Sequence, residues 1–245
     1  KYDLGTLYSD NSGVSRAHAL SADGSVTMGW VVFGDNARAA AWRGKNYGDK
    51  LNLGTLRSDD NSTGSGVYAL SADGSVAAGW AYNDSEYPHA VVWRGRDYGD
   101  KLDLGTLKSD NSDWSWVYAL SADGSVAAGW ARDNDGRSRA VVWRGKDYSE
   151  KLDLGTLESG NSGYADVYAL SADGSVAAGS ATYGGSGEHA IIWRGKDYSE
   201  KLDLDSLSSY RWKDSRAYAL SADGSVAAGW AYNDSRESRA TVWRG

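Results

Sequence analysis

Hydrophobic and polar positions alternate along short stretches of this chain, and the alternation returns every fifty residues. In His89–Arg94, His89, Val91 and Trp93 point one way and Ala90, Val92 and Arg94 the other, which is the period of a strand. No segment offers ten or more residues with a helical apolar stripe. The tag Ala-Leu-Ser-Ala-Asp-Gly-Ser begins at Ala19, Ala69, Ala119, Ala169 and Ala219, and a repeat of that length signals a propeller, solenoid or array. In the second copy the pattern predicts strand A over Val67–Ser71, strand B over Ser75–Tyr82, strand C over His89–Arg94 and strand D over Lys101–Leu107. Ala72-Asp73-Gly74 joins A to B as a tight turn, with Gly free to take positive φ and Asp bonding turn amides.

Four strands per fifty residues is the arithmetic of a propeller blade. The expected fold is all-β: a single five-bladed β-propeller with four antiparallel strands per blade. Its blades are expected at 14–56, 67–107, 117–157, 167–207, and 217–245 together with 1–7. Lys1–Leu7 matches the later strand D segments, while the last copy stops after strand C. The N-terminal strand is therefore expected to complete the last blade and close the ring, which removes an unpaired strand edge. Because the chain starts and stops inside a repeat, it reads as a monomeric domain cut from something longer.

Two tryptophans recur per copy. One ends strand B (Trp30, Trp80, Trp130, Trp230) and one lies in strand C (Trp42, Trp93, Trp143, Trp193, Trp243). Both series are expected to pack between sheets against small residues such as Ala77, Ala78 and Gly79. Ser180 breaks the strand B series, and the fourth blade is expected to be looser there or filled by a neighbouring ring such as Tyr183. His18, Tyr68, Tyr118, Tyr168 and Tyr218 form a further series in strand A, expected to pack from blade to blade.

Charge and composition then narrow the partners. With 33 acidic against 26 basic residues and a formal charge of −7, a nucleic-acid backbone, which requires clustered Lys and Arg, is not an expected partner, though local basic patches stay possible. The absence of cysteine excludes disulfides and thiolate metal sites. No apolar run approaches the roughly 18 residues of a membrane span, and no signal peptide is visible at Lys1. No cofactor or metal is expected: the three His lie in separate copies, and Asp133-Asn134-Asp135-Gly136 opens like a calcium loop without its downstream Glu.

The ALSADGSVAAGW core, with WRG and LDLGTL, resembles the extracellular HAF-type repeat, and the match spans essentially all of the chain. Asp205-Ser206 replaces Gly-Thr in the last copy and affects register only locally. The resemblance implies a secreted or surface-attached bacterial protein, often the exported part of an autotransporter, with no catalytic residue attached to the repeat itself.

Individuality gathers in the D-to-A and B-to-C connections, which leave an up-and-down blade on the same side. That face is the candidate binding surface, for a glycan or a host surface protein. It carries Trp114, Trp116, Trp212, Tyr164 and Tyr210 beside Asp166, Arg16 and Arg216. Rings stack on sugar faces or anchor protein partners, and polar groups bond hydroxyls. Four residues before each strand C tryptophan stands a base, Arg38, His89, Arg139, His189 or Arg239. Ring closure would make these a crown for an acidic ligand, and pairing with local acids such as Glu86, Asp135, Glu188 or Glu237 is the plainer reading. An adhesion or binding module is the expected function. The alternatives are a glycan-active enzyme using face carboxylates such as Asp113 and Asp166, and a passive spacer.

Overall fold

A computed structural model describes all residues except 60–62, 159, 161, 184–186, 209–213 and 245. The first sheet holds β1 (Ser15–Leu20), β2 (Val26–Phe33), β3 (Asn36–Arg43) and β4 (Asp49–Asn52), and the second β5 (Ser65–Leu70), β6 (Ala77–Tyr82), β7 (Pro88–Arg94) and β8 (Asp100–Asp103). The third contains β9 (Ser115–Leu120), β10 (Ala127–Arg132), β11 (Ser138–Arg144) and β12 (Glu150–Asp153). β13 (Ala165–Leu170), β14 (Ala177–Tyr183), β15 (Gly187–Arg194) and β16 (Glu200–Asp203) make the fourth. The fifth is β17 (Ser215–Leu220), β18 (Val226–Tyr232) and β19 (Ser238–Arg244). Strands follow one another within each sheet in chain order. The chain divides into two compact units, Lys1–Tyr118 and Ala119–Gly245, with the division falling inside β9.

The A-to-B turn owes its shape to the repeated tag. Asp73 Oδ1 accepts bonds from Ser71 Oγ at 2.7 Å and from the Ser75 amide at 2.9 Å, while Gly74 takes φ 74°. The turns also bond to one another within each unit. The Ala22 amide donates to Ala72 O at 2.8 Å, and Ala172 to Ala222 O at 2.8 Å. Between strands C and D the chain makes a short 3-10 turn, Arg96–Tyr98 in the second sheet. Tyr98 Oη reaches back from there to Gly74 O at 2.5 Å.

Strand A approaches strand B closely enough to demand glycine. A Cβ on Gly79 would lie 2.0 Å from Gly66 O, and one on Gly179 would lie 1.8 Å from Asp166 O. Opposite Gly79 the register slips between Val67 and Ala69, so that Tyr68 is the extra residue of a bulge, which re-aims side chains on that strand.

Two expectations about strand D change. It ends at Asp103 rather than Leu107, because Asp103 Oδ1 takes the Gly105 amide at 2.7 Å and Gly105 turns the chain at φ 63°. The leucines on either side of the turn glycine enter the core of the next sheet. Leu53 and Leu56 join Val67, Val91 and Trp93, and Leu154 and Leu157 join Val167, Ile191 and Trp193. Lys1–Leu7, expected as a strand of the fifth sheet, is not in a strand, and that sheet has three strands. Leu4 and Leu7 pack on Val31, Ala40 and Trp42, the part Leu53 and Leu56 play one copy later.

Four of the five strand C tryptophans are the core residues expected of them, whereas Trp243 in the fifth sheet is only half-buried. Trp42, Trp93, Trp143 and Trp193 are at most 1% exposed. The strand B series is not equally buried: Trp30, Trp80 and Trp230 are half-buried and only Trp130 is fully covered.

Candidate functional site: the strand A slot

Two strand positions per sheet decide what the start of strand A presents. Arg16 pairs with Trp30 across β1 and β2, Gly66 with Trp80, Asp166 with Ser180 and Arg216 with Trp230. The flanking framework hardly varies, so chemistry at this slot is set by those two side chains and by the residues that reach them.

In the first unit the slot is aromatic. Trp80 lies over Gly66, where an added Cβ would be 3.0 Å from its Nε1, and stacks on Trp116 with centroids 5.7 Å apart and planes 25° apart. Tyr68 and Tyr118 each stand 6.3 Å from Trp116, and Tyr82 packs edge-on to Trp80 at 5.9 Å. Arg16 sits over the Trp30 ring at 5.5 Å. Trp114 is 46% exposed, and its amide donates to Asp113 Oδ1 at 3.0 Å. The strand A rings touch as expected: His18 to Tyr68 at 5.4 Å and Tyr68 to Tyr118 at 5.5 Å in the first unit, Tyr168 to Tyr218 at 5.1 Å in the second.

In the second unit the same slot is ionic where Ser180 replaces tryptophan. Ser180 is buried and donates from Oγ to Glu188 Oε2 at 3.1 Å, and Arg216 Nε pairs with the same oxygen at 2.9 Å. Tyr168 Oη donates to Asp166 Oδ2 over a long 3.4 Å. Burial first, and then the Glu188 charge, push the Asp166 carboxyl up to about 6 against the opposing pull of Arg216. Burial beside Asp166 likewise raises the Tyr168 phenol. Tyr183 does not fill the gap as expected. It is 48% exposed and stacks on His189 at 4.3 Å, because it lies past the slot near the end of β14. Tyr164, just before β13, is exposed, whereas Tyr210 and Trp212 lie outside the described residues.

The five bases do not share one environment. His89, Arg139 and His189 are buried, and each meets the acid fourteen residues on: Asp103 at 2.8 Å, Asp153 at 3.2 Å and Asp203 at 2.9 Å. These partners differ from the loop acids named from sequence, because the C–D hairpin sets the base of strand C beside the last residue of strand D. Arg239 is exposed and pairs with Glu237, while Arg38 is buried at 4% exposure. Sequence reasoning missed Trp80, Glu188 and Tyr168 as slot residues. The Ser180 break was the visible signal for the last two.

No family model matches the sequence, and no curated protein does. Solved structures do match. TolB from Agrobacterium tumefaciens aligns at TM-score 0.59 and 15% identity over 95% of this chain and 77% of its own, and TolB from Acinetobacter baumannii at 0.52 and 13% over 93% and 54%. Prolyl oligopeptidase B from Galerina marginata aligns at 0.61 and 10% over 99% of this chain and 34% of its own. The chain thus spans about half of one TolB and a third of the peptidase. At such identities the likeness is one of fold: repeated antiparallel four-stranded sheets of the β-propeller type. Among the described residues no helix is long and apolar enough to cross a membrane.

Proposed function

We propose that the chain is a non-catalytic recognition module that engages a glycan or a protein surface through the strand A slots and the connections leading into them. One observation carries this reading. Copies that agree at turn, core and strand C differ at one slot, which presents Arg16 on Trp30, Trp80 on Trp116, and Asp166 with Glu188 and Arg216. Variation gathered at the slots and the connections leading into them, on a constant frame, is how binding surfaces are built, and Trp, Tyr and Arg are the side chains that dominate recognition energetics. The resemblance to HAF-type repeats supports a site of action at the bacterial surface. A glycan array and a cell-binding assay test the reading: binding should fall at least tenfold in Trp116→Ala and Trp114→Ala. Silence across both assays, or binding indifferent to both substitutions, refutes it.

The frame is further proposed to close as a five-bladed ring, with Lys1–Asp3 as the fourth strand beside β19. Asp3 Oδ1 holds the Gly5 amide at 2.9 Å, as Asp103 holds that of Gly105 at 2.7 Å and Asp153 that of Gly155 at 2.8 Å, so Asp3 has the local form of a strand D acid. By that register Arg239 takes Asp3 as Arg139 takes Asp153. Charge reversal tests it: Asp3→Arg should lower the melting temperature, and adding Arg239→Asp should restore it. No rescue in the double variant refutes closure in this register, and rescue accompanied by dimers on a sizing column shows the strand supplied by a second copy.

A further inference from the structure

We infer that a cleft between the fourth and fifth sheets docks a Gly-x-Asp-Tyr turn of a partner polypeptide, the phenol entering beside Gly224 and the aspartate meeting Arg194. The cleft lies at the A-to-B turn end of the fifth sheet, whereas the slot at Arg216 and Trp230 lies at the other end of the same strands. The inference is therefore separate from the recognition reading.

Four copies of the chain show how such a seat is used. In each, the tyrosine of the 3-10 turn after strand C donates its hydroxyl to the carbonyl of the A-to-B turn glycine. Tyr47 reaches Gly24 O and Tyr98 reaches Gly74 O, both at 2.5 Å, and Tyr148 and Tyr198 meet Gly124 O and Gly174 O in the same way. Within the second unit the Tyr198 ring is buried against Trp193 of its own sheet and Val142, Leu152 and Leu154 of the third. The acid one residue earlier is held by the strand C arginine of the preceding sheet: Arg43 Nη2 takes Asp97 and Arg144 Nη2 takes Asp197. Gly95 and Gly195, which open these turns, take φ 74° and 78°, where glycine is favoured.

Fifty residues on, the Tyr198 seat recurs as a cleft of about 170 Å³ lined by Ile192, Leu202, Leu204, Gly224, Trp243 and Arg194. Each of the six stands one repeat after a residue that holds Tyr198 or Asp197. An apolar cavity of about 150 Å³ is enough to hold a benzene ring. The charge at its mouth also matches. Arg194 Nε pairs with Glu200 at 3.1 Å as Arg144 Nε pairs with Glu150 at 2.9 Å, but Arg194 is 52% exposed against 28% for Arg144, which also holds Asp197. Its guanidinium is a fork that can take a second carboxylate. Leu202, 40% exposed, gains cover from an entering ring. Tyr98, Tyr148 and Tyr198 are themselves buried in their own seats, so the occupant comes from another polypeptide.

The test follows amide and indole signals of the ¹⁵N-labelled whole chain by NMR while acetylated, amidated Gly-Lys-Asp-Tyr-Ser-Glu-Lys-Leu, the sequence of residues 195–202, is added. Gly224, Ala227 and the Trp243 indole should shift. Replacing the tyrosine of the peptide by leucine should weaken binding by about tenfold, and replacing its aspartate by asparagine by about fivefold. In Arg194→Gln the aspartate effect should vanish while the tyrosine effect persists. Leu202→Glu, at an exposed position, should abolish binding without lowering the melting temperature. p-Cresol, which carries the ring and hydroxyl without the turn, should shift the same signals more weakly. Shifts confined to residues outside the cleft, or an aspartate effect unchanged in Arg194→Gln, overturn the assignment. A response to p-cresol with none to the peptide overturns the polypeptide occupant, and no response to either overturns the seat itself; the glycan and cell assays of the slots stand apart from both results. Dimers of the unliganded chain on a sizing column, lost in Leu202→Glu, would replace the partner by a second copy.

Discussion

Trp80 in the second sheet and Ser180 in the fourth occupy the same position of the same repeat, yet one slot is built of rings and the other of ions. Around Trp80 the neighbours are Trp116, Tyr68, Tyr82 and a glycine with no side chain to compete. Around Ser180 they are Asp166, Glu188, Arg216 and Tyr168. The frame beneath is common to both, with a buried strand C tryptophan, a glycine pressed against strand A and an Asp-Gly turn. Where Ser180 replaces the indole the slot holds buried carboxylates, whereas the copies that keep it hold either rings or an arginine beside it, as Arg16 beside Trp30 and Arg216 opposite Trp230. The difference shows that this repeat separates what holds it together from what it presents.

The largest expected effect tests the shared frame. Trp93→Ala and Trp193→Ala should each cost about 3–5 kcal/mol in denaturant unfolding, since both indoles are fully buried. Unequal costs would show that the two frames are not equivalent. Next, Trp80→Ser should cost about 2 kcal/mol, less than Trp93→Ala because the ring is half-exposed and its worth lies in stacking on Trp116.

Asp166→Asn acts in the opposite direction. The folded carboxyl titrates at about 6, above its value in the unfolded chain, so its penalty is complete above pH 6 and is relieved as pH falls toward 4. The substitution should stabilise the protein by about 1–2 kcal/mol at pH 7.5, allowing for partial solvent screening, and by nothing at pH 4. The smallest effect belongs to the turns. Serine donors hold Asp173 and Asp223 down at about 2, so their contribution is present above about 4 and fades as pH falls through 2. Asp173→Asn should therefore lower stability modestly around pH 7, leave it unchanged below about pH 2, and so flatten the acid limb of the stability curve.

Much of this frame was legible before any coordinates. The fifty-residue spacing, the alternation of strand C and the Asp-Gly turn each depend on contacts within a few residues, and each appears where it was expected. The slot was only half legible. Asp166 and Arg216 stood out because the copies differ there, but Glu188 reaches Ser180 from the neighbouring strand and Trp80 meets Trp116 of the next copy. Such pairings follow from sheet register and from how one sheet lies on the next. The acids beneath His89, Arg139 and His189 were missed for a related reason. Asp103, Asp153 and Asp203 stand fourteen positions away, and only the 3-10 turn between strands C and D brings them alongside.

The turn-to-turn bond from the Ala22 amide to the Ala72 carbonyl uses main-chain atoms alone, and the same atoms serve at Ala122 with Ala172 and at Ala172 with Ala222. A joint that reads no side chain accepts any copy at either end. At this joint one copy can replace another without altering the bond, whereas nearer the slots the seam depends on side-chain pairs such as Trp80 with Trp116 and Arg216 with Glu188.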